Sequence, residues 1–321
     1  MSKTPRIVAT RKFTDPVEAR LQQDYDVRLN PNDTVYEPAQ LIAAAEGADG
    51  LLITASERLD AISFDRLPPA VRIICTLSAG TDHIDLEAAQ EHGVTVCHTP
   101  DVLNEACADI AMLLLLAASR RAFEGDQLVR SGTWCGWAPT QLLGREIHGK
   151  RLGIFGMGRI GQAIARRAHG FGLTVHYHNR RRLSAEDEAG AIYHDEPEAL
   201  LAVSDFFSLN GPSTAETRKF LNADRIARLP DHAVVINMSR GDLIDDDALI
   251  AALTSGRVAA AGLDVFDHEP NIDPRYRDLS NVFLLPHIGS ATHETRDAMG
   301  FMLLDALDAF FAGKIVPNRL V

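Results

Sequence analysis

Over the first hundred residues, short β-rich runs alternate with helical stretches: Arg6 to Ala9, Val27 to Leu29, Gly50 to Thr54, Arg72 to Leu77 and Val94 to Cys97 punctuate the segment. That rhythm predicts a parallel sheet with crossover helices. From Asp109 to Arg121 the pattern turns helical with an almost wholly apolar centre, which predicts a buried helix connecting two domains. A second alternating series opens at Arg151-Leu152-Gly153-Ile154-Phe155. It returns near Leu173 to His178, Phe206 to Leu209, Ala233 to Asn237, Ala260 to Asp264 and Val282 to Leu284, as a doubly wound domain does. The helix from Thr292 to about Phe311 has no strand partner of its own and is expected to pack back on the first domain.

Length agrees with two domains, since 321 residues exceed what one hydrophobic core usually holds. Apolar residues make up 46% of the chain and aromatics only 6%, which suits Ala/Val/Ile/Leu strands covered by helices. The formal charge of −12 argues against nucleic-acid binding, although a small anion could still be drawn into a locally positive cleft. Cys75, Cys97, Cys107 and Cys135 show no CxxC spacing, imply no metal site, and read as buried thiols of a reducing compartment. Met1 to Arg6 leads straight into Ile7-Val8-Ala9-Thr10 without the apolar stretch of a secretory signal, so a cytoplasmic address is expected. The apolar run Ala111 to Ala118 is too short for a bilayer, which needs roughly 20 such residues, and no membrane role is expected.

Gly156-Met157-Gly158-Arg159-Ile160-Gly161 directly follows the strand Leu152 to Phe155 and opens an Ala-rich helix through His169. In that context the first glycine permits a tight turn, the second lets the backbone approach a pyrophosphate, and the third lets helix and strand pack closely. The helix N-terminus offers N–H groups and positive dipole to the phosphates. A dinucleotide site follows. The expected fold is therefore α/β with two Rossmann-like domains and parallel sheets: residues 102–287 form the dinucleotide-binding Rossmann domain, while residues 1–101 and 288–321 form a discontinuous, flavodoxin-like substrate domain. The active cleft is expected between them.

About 20 residues past the glycines, where NAD-preferring domains carry an acidic ribose ligand, this strand ends Tyr177-His178-Asn179-Arg180-Arg181-Arg182. Arginines there suit a 2′-phosphate through charge-assisted contacts, whereas a carboxylate would repel it. NADP(H) is expected as the preferred cofactor with NAD(H) used less efficiently, Asn179, Arg180 and Arg181 being the contacts and Arg182 a weaker candidate.

Reduction of a 2-oxo acid needs a cation for the carboxylate, a proton donor beside the carbonyl, and a group that tunes that donor. Arg240 follows the strand Ala233 to Ile236, Glu269 lies just beyond Gly262-Leu263-Asp264-Val265, and His287 follows the strand ending at Leu285. Ligands of α/β sheets bind at such carboxyl ends. These segments closely resemble the D-isomer-specific 2-hydroxyacid dehydrogenase family over nearly the whole chain. The likeness is strongest to glyoxylate and hydroxypyruvate reductases, in Thr99-Pro100-Asp101-Val102-Leu103, Trp134-Cys135-Gly136-Trp137 and Leu285 to Thr292.

The resemblance implies that Arg240 binds the substrate carboxylate and polarises its carbonyl, that His287 protonates the developing alkoxide, and that Glu269 pairs with the imidazole and favours its protonated form. It also implies that Ala79 and Gly80, in Leu77 to Asp85, receive the carboxylate on backbone N–H groups, with Ser290 nearby. Pro212 is placed near the adenosine, Met238 along the dinucleotide, Asp264 at the carboxamide and Gly289 beside the nicotinamide. A homodimer is implied, its tryptophan loop forming an arm from which Trp137 reaches the neighbouring subunit's active site. Asn210 departs from the histidine common at its place, His83 reads as structural, and Asp245 to Asp247 as an acidic helix start. The competing readings are reduction of hydroxyphenylpyruvate or another bulky 2-oxo acid, and a dinucleotide-sensing, corepressor-like binding protein. A formate dehydrogenase would pair its histidine with glutamine, and a 3-phosphoglycerate dehydrogenase would commonly append a regulatory domain.

Overall fold

The computed structural model describes residues 4–321; Met1 to Lys3, the start of the N-terminal stretch read above, lie outside the described residues. In chain order the elements are β1 (Arg6–Ala9), α1 (Asp15–Asp24), β2 (Asp26–Arg28), α2 (Pro38–Ala44), β3 (Gly50–Ile53), α3 (Ala61–Arg66), β4 (Ile73–Thr76), α4 (Leu86–Glu91), β5 (Thr95–Cys97), α5 (Asn104–Ser119), α6 (Ala122–Arg130), β6 (Arg151–Phe155), α7 (Arg159–Gly170), β7 (Thr174–His178), α8 (Ala185–Glu188) and β8 (Ile192–Tyr193). They continue with α9 (Pro197–Val203), β9 (Phe206–Leu209), α10 (Ala223–Ile226), β10 (Ala233–Asn237), α11 (Asp246–Ser255), β11 (Val258–Leu263), β12 (Val282–Leu284) and α12 (His293–Phe311). The chain divides into two compact units, one of Met1–Leu103 with Ser290–Val321, the other of Asn104–Gly289.

The first unit holds a five-stranded sheet in the order β2-β1-β3-β4-β5, every pair parallel. Along β1, Ile7 and Ala9 belong to one core and Val8 to the other, because successive side chains leave opposite faces and both faces are covered. Leu41, Phe64 and Ala88 of α2, α3 and α4 fill one side; Val17 and Leu21 of α1 meet Leu303, Leu304 and Leu307 of α12 on the other. Polar contacts pin α12 to the start of the chain. Arg20 pairs with Asp305 and Asp308, and the Tyr25 hydroxyl donates to Asp308 at 2.5 Å.

The second unit holds a seven-stranded parallel sheet, β12-β11-β10-β9-β6-β7-β8. Helices α9 and α11 pack on one face through Leu200, Leu201, Leu249 and Leu253. The apolar helix expected from Asp109 starts earlier, at Asn104, and packs on α7, β10 and β11 inside this unit. Arg167 of α7 ties the two helices by bonding Glu105 at 2.6 Å and Asp109 at 2.7 Å. The chain breaks after α5 at Arg121, whose left-handed φ of 54° starts α6, braced by a two-point contact with Glu124.

Strands and α12 fall within about two residues of the sequence expectation, the ends being where hydrogen-bond assignment and periodicity diverge most. Two elements were not expected: β8, too short to show a period, and α6, whose apolar residues face no core. One reading is corrected. Cys75, Cys97 and Cys107 are buried thiols, but Cys135 is exposed, because it sits in the run 131–140 after α6, which is exposed throughout. Among the described residues no helix is long and apolar enough to cross a membrane, and no cluster of His, Cys, Asp and Glu could hold a metal ion.

Candidate active site at the carboxyl ends of the second sheet

The glycine loop is built from the end of β6. Gly156 adopts φ of 95° and donates its N–H to His178 O at 3.0 Å; a Cβ there would stand 2.6 Å from Gly211 N and 2.7 Å from Asn210 C. Only glycine fits such a turn. A Cβ on Gly161 would stand 2.5 Å from Gly156 O, so the start of α7 lies directly on the loop. At Gly158 nothing lies within 4 Å of where a Cβ would be, and as the cap of α7 it offers no side-chain bond to the first-turn N–H groups. Met157 is buried, Ile160 half-buried and Arg159 exposed. Pro212 is exposed on the loop that begins at Asn210 and Gly211, beside Gly156.

The loop after β7 is joined to this turn. Asn179 accepts from Met157 N–H at 2.7 Å through Oδ1, and Tyr193 donates to Asn179 O at 3.3 Å. Arg180 and Arg181 are exposed, and Arg180 is close enough to Glu216 to help hold its carboxyl below the usual range, after hydrogen bonds from Thr214 and the backbone. Arg182 behaves differently. Its guanidinium makes a two-point contact with Glu188, Nε to Oε1 at 2.7 Å and Nη2 to Oε2 at 3.1 Å. Glu188 also accepts from Tyr177 Oη at 2.6 Å. Arg182 holds its carboxyl down, and burial with this hydrogen bond pushes the Tyr177 hydroxyl up to about 12.

At the other half of the sheet, β10, β11 and β12 end side by side. Asn237 closes the turn carrying Arg240, donating from Nδ2 to Arg240 O at 2.8 Å and accepting from Ser239 N–H at 3.1 Å. The Arg240 guanidinium donates to Ser239 O at 2.8 Å, and the Ser239 hydroxyl donates to Gly211 O. Asp264 is 1% exposed; its Oδ1 accepts from Ile288 N–H at 2.8 Å, while Oδ2 has no hydrogen-bond partner among the described residues. Burial raises its carboxyl above the ordinary value, against the pull of the Ile288 N–H and of His287. A Cβ on Gly289 would stand 3.3 Å from Asp264 Oδ2 and 3.7 Å from Met238 Cε, so three of the residues expected near one ligand converge there.

His287, at φ of 54°, bonds Glu269 with Nδ1 to Oε2 at 2.7 Å, and the second Glu269 oxygen accepts from Phe266 N–H at 2.8 Å. Because a carboxylate oxygen accepts, Nδ1 carries a hydrogen and Nε2 is the nitrogen left for exchange. Both side chains are about a third exposed or more, so solvent screens the attraction and its role is orientation rather than stability. Gly241 lets this segment approach the Arg240 turn: a Cβ there would stand 1.8 Å from Phe266 C.

In the first unit, Ala79 and Gly80 follow β4 in a tied turn: Ser78 Oγ donates to Gly80 O at 2.8 Å and His98 Nδ1–H donates to Ala79 O at 3.0 Å. His83 is buried against Thr76, Nε2 to Oγ1 at 2.9 Å, in keeping with a structural residue. Ser290 is half-buried and its carbonyl accepts from Thr292 N–H at 2.9 Å. Trp137 is 82% exposed. Asn210 turns its amide nitrogen to Ser208 and leaves Oδ1 buried without a partner among the described residues. Sequence reasoning passed over Glu188, whose only local signal is the Ser184-to-Asp187 cap that starts its helix.

A family model described as "D-isomer specific 2-hydroxyacid dehydrogenase, NAD binding domain" matches residues 112–289. The chain is 45% identical over 315 residues to glycerate dehydrogenase of Hyphomicrobium methylovorum, covering 98% of each. A crystal structure from Polaromonas, assigned to the same dehydrogenases, is 55% identical with a TM-score of 0.95, covering 99% of this chain and 100% of that one. The NADPH-dependent glyoxylate/hydroxypyruvate reductase of Sinorhizobium meliloti, solved with NADP and malonate, is 33% identical with a TM-score of 0.87, covering 99% and 97%. The chain belongs to the D-isomer specific 2-hydroxyacid dehydrogenases, a family of oxidoreductases whose fold and sequence it shares over almost its whole length.

Proposed function

We propose that this protein reduces a small 2-oxo acid, glyoxylate or hydroxypyruvate, to the D-2-hydroxy acid, with NADPH preferred and NADH used less efficiently. The observation that carries the reading is the 2.7 Å contact of His287 Nδ1 with Glu269 Oε2 beside the turn of Arg240. A dinucleotide fits the residues present on two grounds: open space at Gly158 before uncapped α7, and the buried Asp264 Oδ2 without a partner. When bound it supplies the hydride. Gly156, Met157, Gly158, Arg159, Ile160 and Gly161 hold its phosphates, Pro212 and Met238 flank it, and Asp264 and Gly289 orient the ring end.

Arg240 anchors the substrate carboxylate and draws charge toward the carbonyl oxygen, where negative charge develops. His287 donates the proton from Nε2 to that oxygen, and Glu269 keeps the ring aimed by accepting from Nδ1. Ala79 and Gly80 offer backbone N–H groups to the carboxylate, with Ser290 assisting. The NADPH preference is supported by Arg180 and Arg181 at the end of β7, where no acidic residue stands. Relatives named for glycerate and for glyoxylate and hydroxypyruvate support the substrate class. The exposed side chains of Phe123, Val129, Trp134, Trp137 and Leu143 support a homodimer joined through this arm. Buried thiols at Cys75, Cys97 and Cys107 support a reducing, cytoplasmic setting.

The test is a panel of glyoxylate, hydroxypyruvate and hydroxyphenylpyruvate assayed with NADPH and NADH in parallel. Turnover of the two small acids with NADPH, at higher kcat/KM than with NADH, is the expected result. Absence of turnover with every acid would refute the enzyme reading, and equal efficiency with NADH would refute the cofactor assignment.

A further inference from the structure

Three arginines follow β7, and one of them is already engaged. Glu188 is buried at the edge of the sheet, a costly place for a carboxylate unless it is fully paired. Its pairing is complete: Arg182 reaches both oxygens, and Tyr177 Oη donates to Oε1. Tyr177 Oη in turn accepts from Leu183 N–H at 3.1 Å. The Arg182 guanidinium also stands 5.7 Å over the ring of Tyr193, the residue that donates to Asn179 O. Upstream, Asn179 is bonded to Met157 in the glycine loop. The span carrying Arg180 and Arg181 is thus fixed at both ends, at Asn179 and at Arg182-Leu183.

We propose that Glu188 is a positioning residue for cofactor choice: with Tyr177 it clamps Arg182 and Leu183, so that Arg180 and Arg181 are presented, already ordered, to the 2′-phosphate. The proposal rests on the NADPH reading above. Its physical content is preorganisation. A flexible basic loop must lose side-chain and backbone freedom when it binds a phosphate, and a braced loop has lost much of it on folding. The pairing also cancels the charge of Glu188, which otherwise would oppose an anion held by the neighbouring arginines.

The experiment compares wild type with Glu188→Gln and Tyr177→Phe, using 2′,5′-ADP and 5′-AMP as probes in titration calorimetry. Exchange of the Leu183 amide is followed in parallel. The expected result is that each variant binds 2′,5′-ADP about tenfold more weakly and 5′-AMP within about twofold of wild type, with faster exchange at Leu183. If the buried substitutions prevent folding, Arg182→Lys serves, since it lies on the surface, keeps the charge and loses the two-point contact; the same selective loss is expected. Equal weakening of both probes would reduce the clamp to a structural brace. Unchanged or tighter binding of 2′,5′-ADP would also overturn the proposal, the latter by showing that Glu188 masks Arg182 instead of bracing its neighbours. The NADPH reading is checked separately: wild type that binds 2′,5′-ADP no better than 5′-AMP would remove both.

Discussion

Gly241→Ala tests whether close backbone approach fixes the relation between the turn of Arg240 and the segment of Glu269. The added methyl carbon would stand 1.8 Å from Phe266 C, 2.1 Å from Asp267 N and 2.2 Å from Phe266 O. All three atoms are backbone, so no side-chain rotation relieves the overlap. Contacts under 3.0 Å essentially never occur for a Cβ, so the two segments must part by at least about 1.2 Å. Overpacking of this kind costs about 1–3 kcal/mol. At about 2 kcal/mol, the melting temperature of a domain of this size falls by roughly 4–8 °C. The chemical effect is larger, because displacing a positioned group by about 1 Å costs on the order of 10²-fold in rate. Steady-state kinetics should therefore show kcat/KM for the oxo acid down about a hundredfold, while dinucleotide binding, followed by nicotinamide fluorescence, is retained. Gly170→Ala is the control, since nothing lies within 4 Å of its Cβ position. If Gly241→Ala keeps kcat/KM within twofold and melts with wild type, the close approach does not govern the site.

His287→Ala should leave dinucleotide affinity unchanged while turnover falls by about 10²- to 10⁴-fold, measured as NADPH oxidation at saturating oxo acid; normal turnover would remove His287 from proton transfer. Arg240→Ala should chiefly raise the KM for the oxo acid and also depress kcat, and an unchanged substrate response would dismiss it as the anchor. Asp264 is buried with its carboxyl raised, so the folded protein binds its proton more tightly than the unfolded chain. Its contribution to stability is full below the ordinary carboxylate range and is lost as pH rises through the raised value. Melting curves from about pH 3 to 7 should show Asp264→Asn gaining on wild type across that window, and parallel curves would contradict the burial effect. Replacing Trp134 and Trp137 together by serine should lower the sedimentation coefficient toward that of a single chain, and an unchanged value would free the arm from a role in association.

The periodic parts of the molecule were legible in the sequence. Apolar runs such as Ile73 to Cys75 and Val234 to Ile236 are covered on both faces and must be apolar throughout, which marks parallel strands without any partner being known. The turn at Gly156 to Gly161 was legible because its glycine spacing stands between an apolar strand and a helix within one short segment, although the crowding at Gly156 comes from the distant Asn210 and Gly211. Glu269 and His287 were found as separate strand ends, but their 2.7 Å contact depends on the sheet bringing β11 and β12 together. Glu188 was not legible. It is held by Tyr177 of β7 and by Arg182, and six positions of separation from Arg182 carry no signal outside a regular helix. Cys135 was misread because the absence of CxxC spacing argues against metal and disulfide sites but carries no information on burial, and its loop is exposed.

The contacts of Arg20 and Tyr25 with Asp305 and Asp308 couple residues separated by more than 280 positions. During synthesis the first hundred residues must therefore wait, with Val17 and Leu21 lacking their partners, until Leu303 and Leu307 have left the ribosome. Asn104 to Gly289 has no such dependence on distant chain and can mature first. Order of birth and order of completion are thus reversed, and the early-made segment is the part most exposed to chaperones and to sticking on its way to the finished molecule.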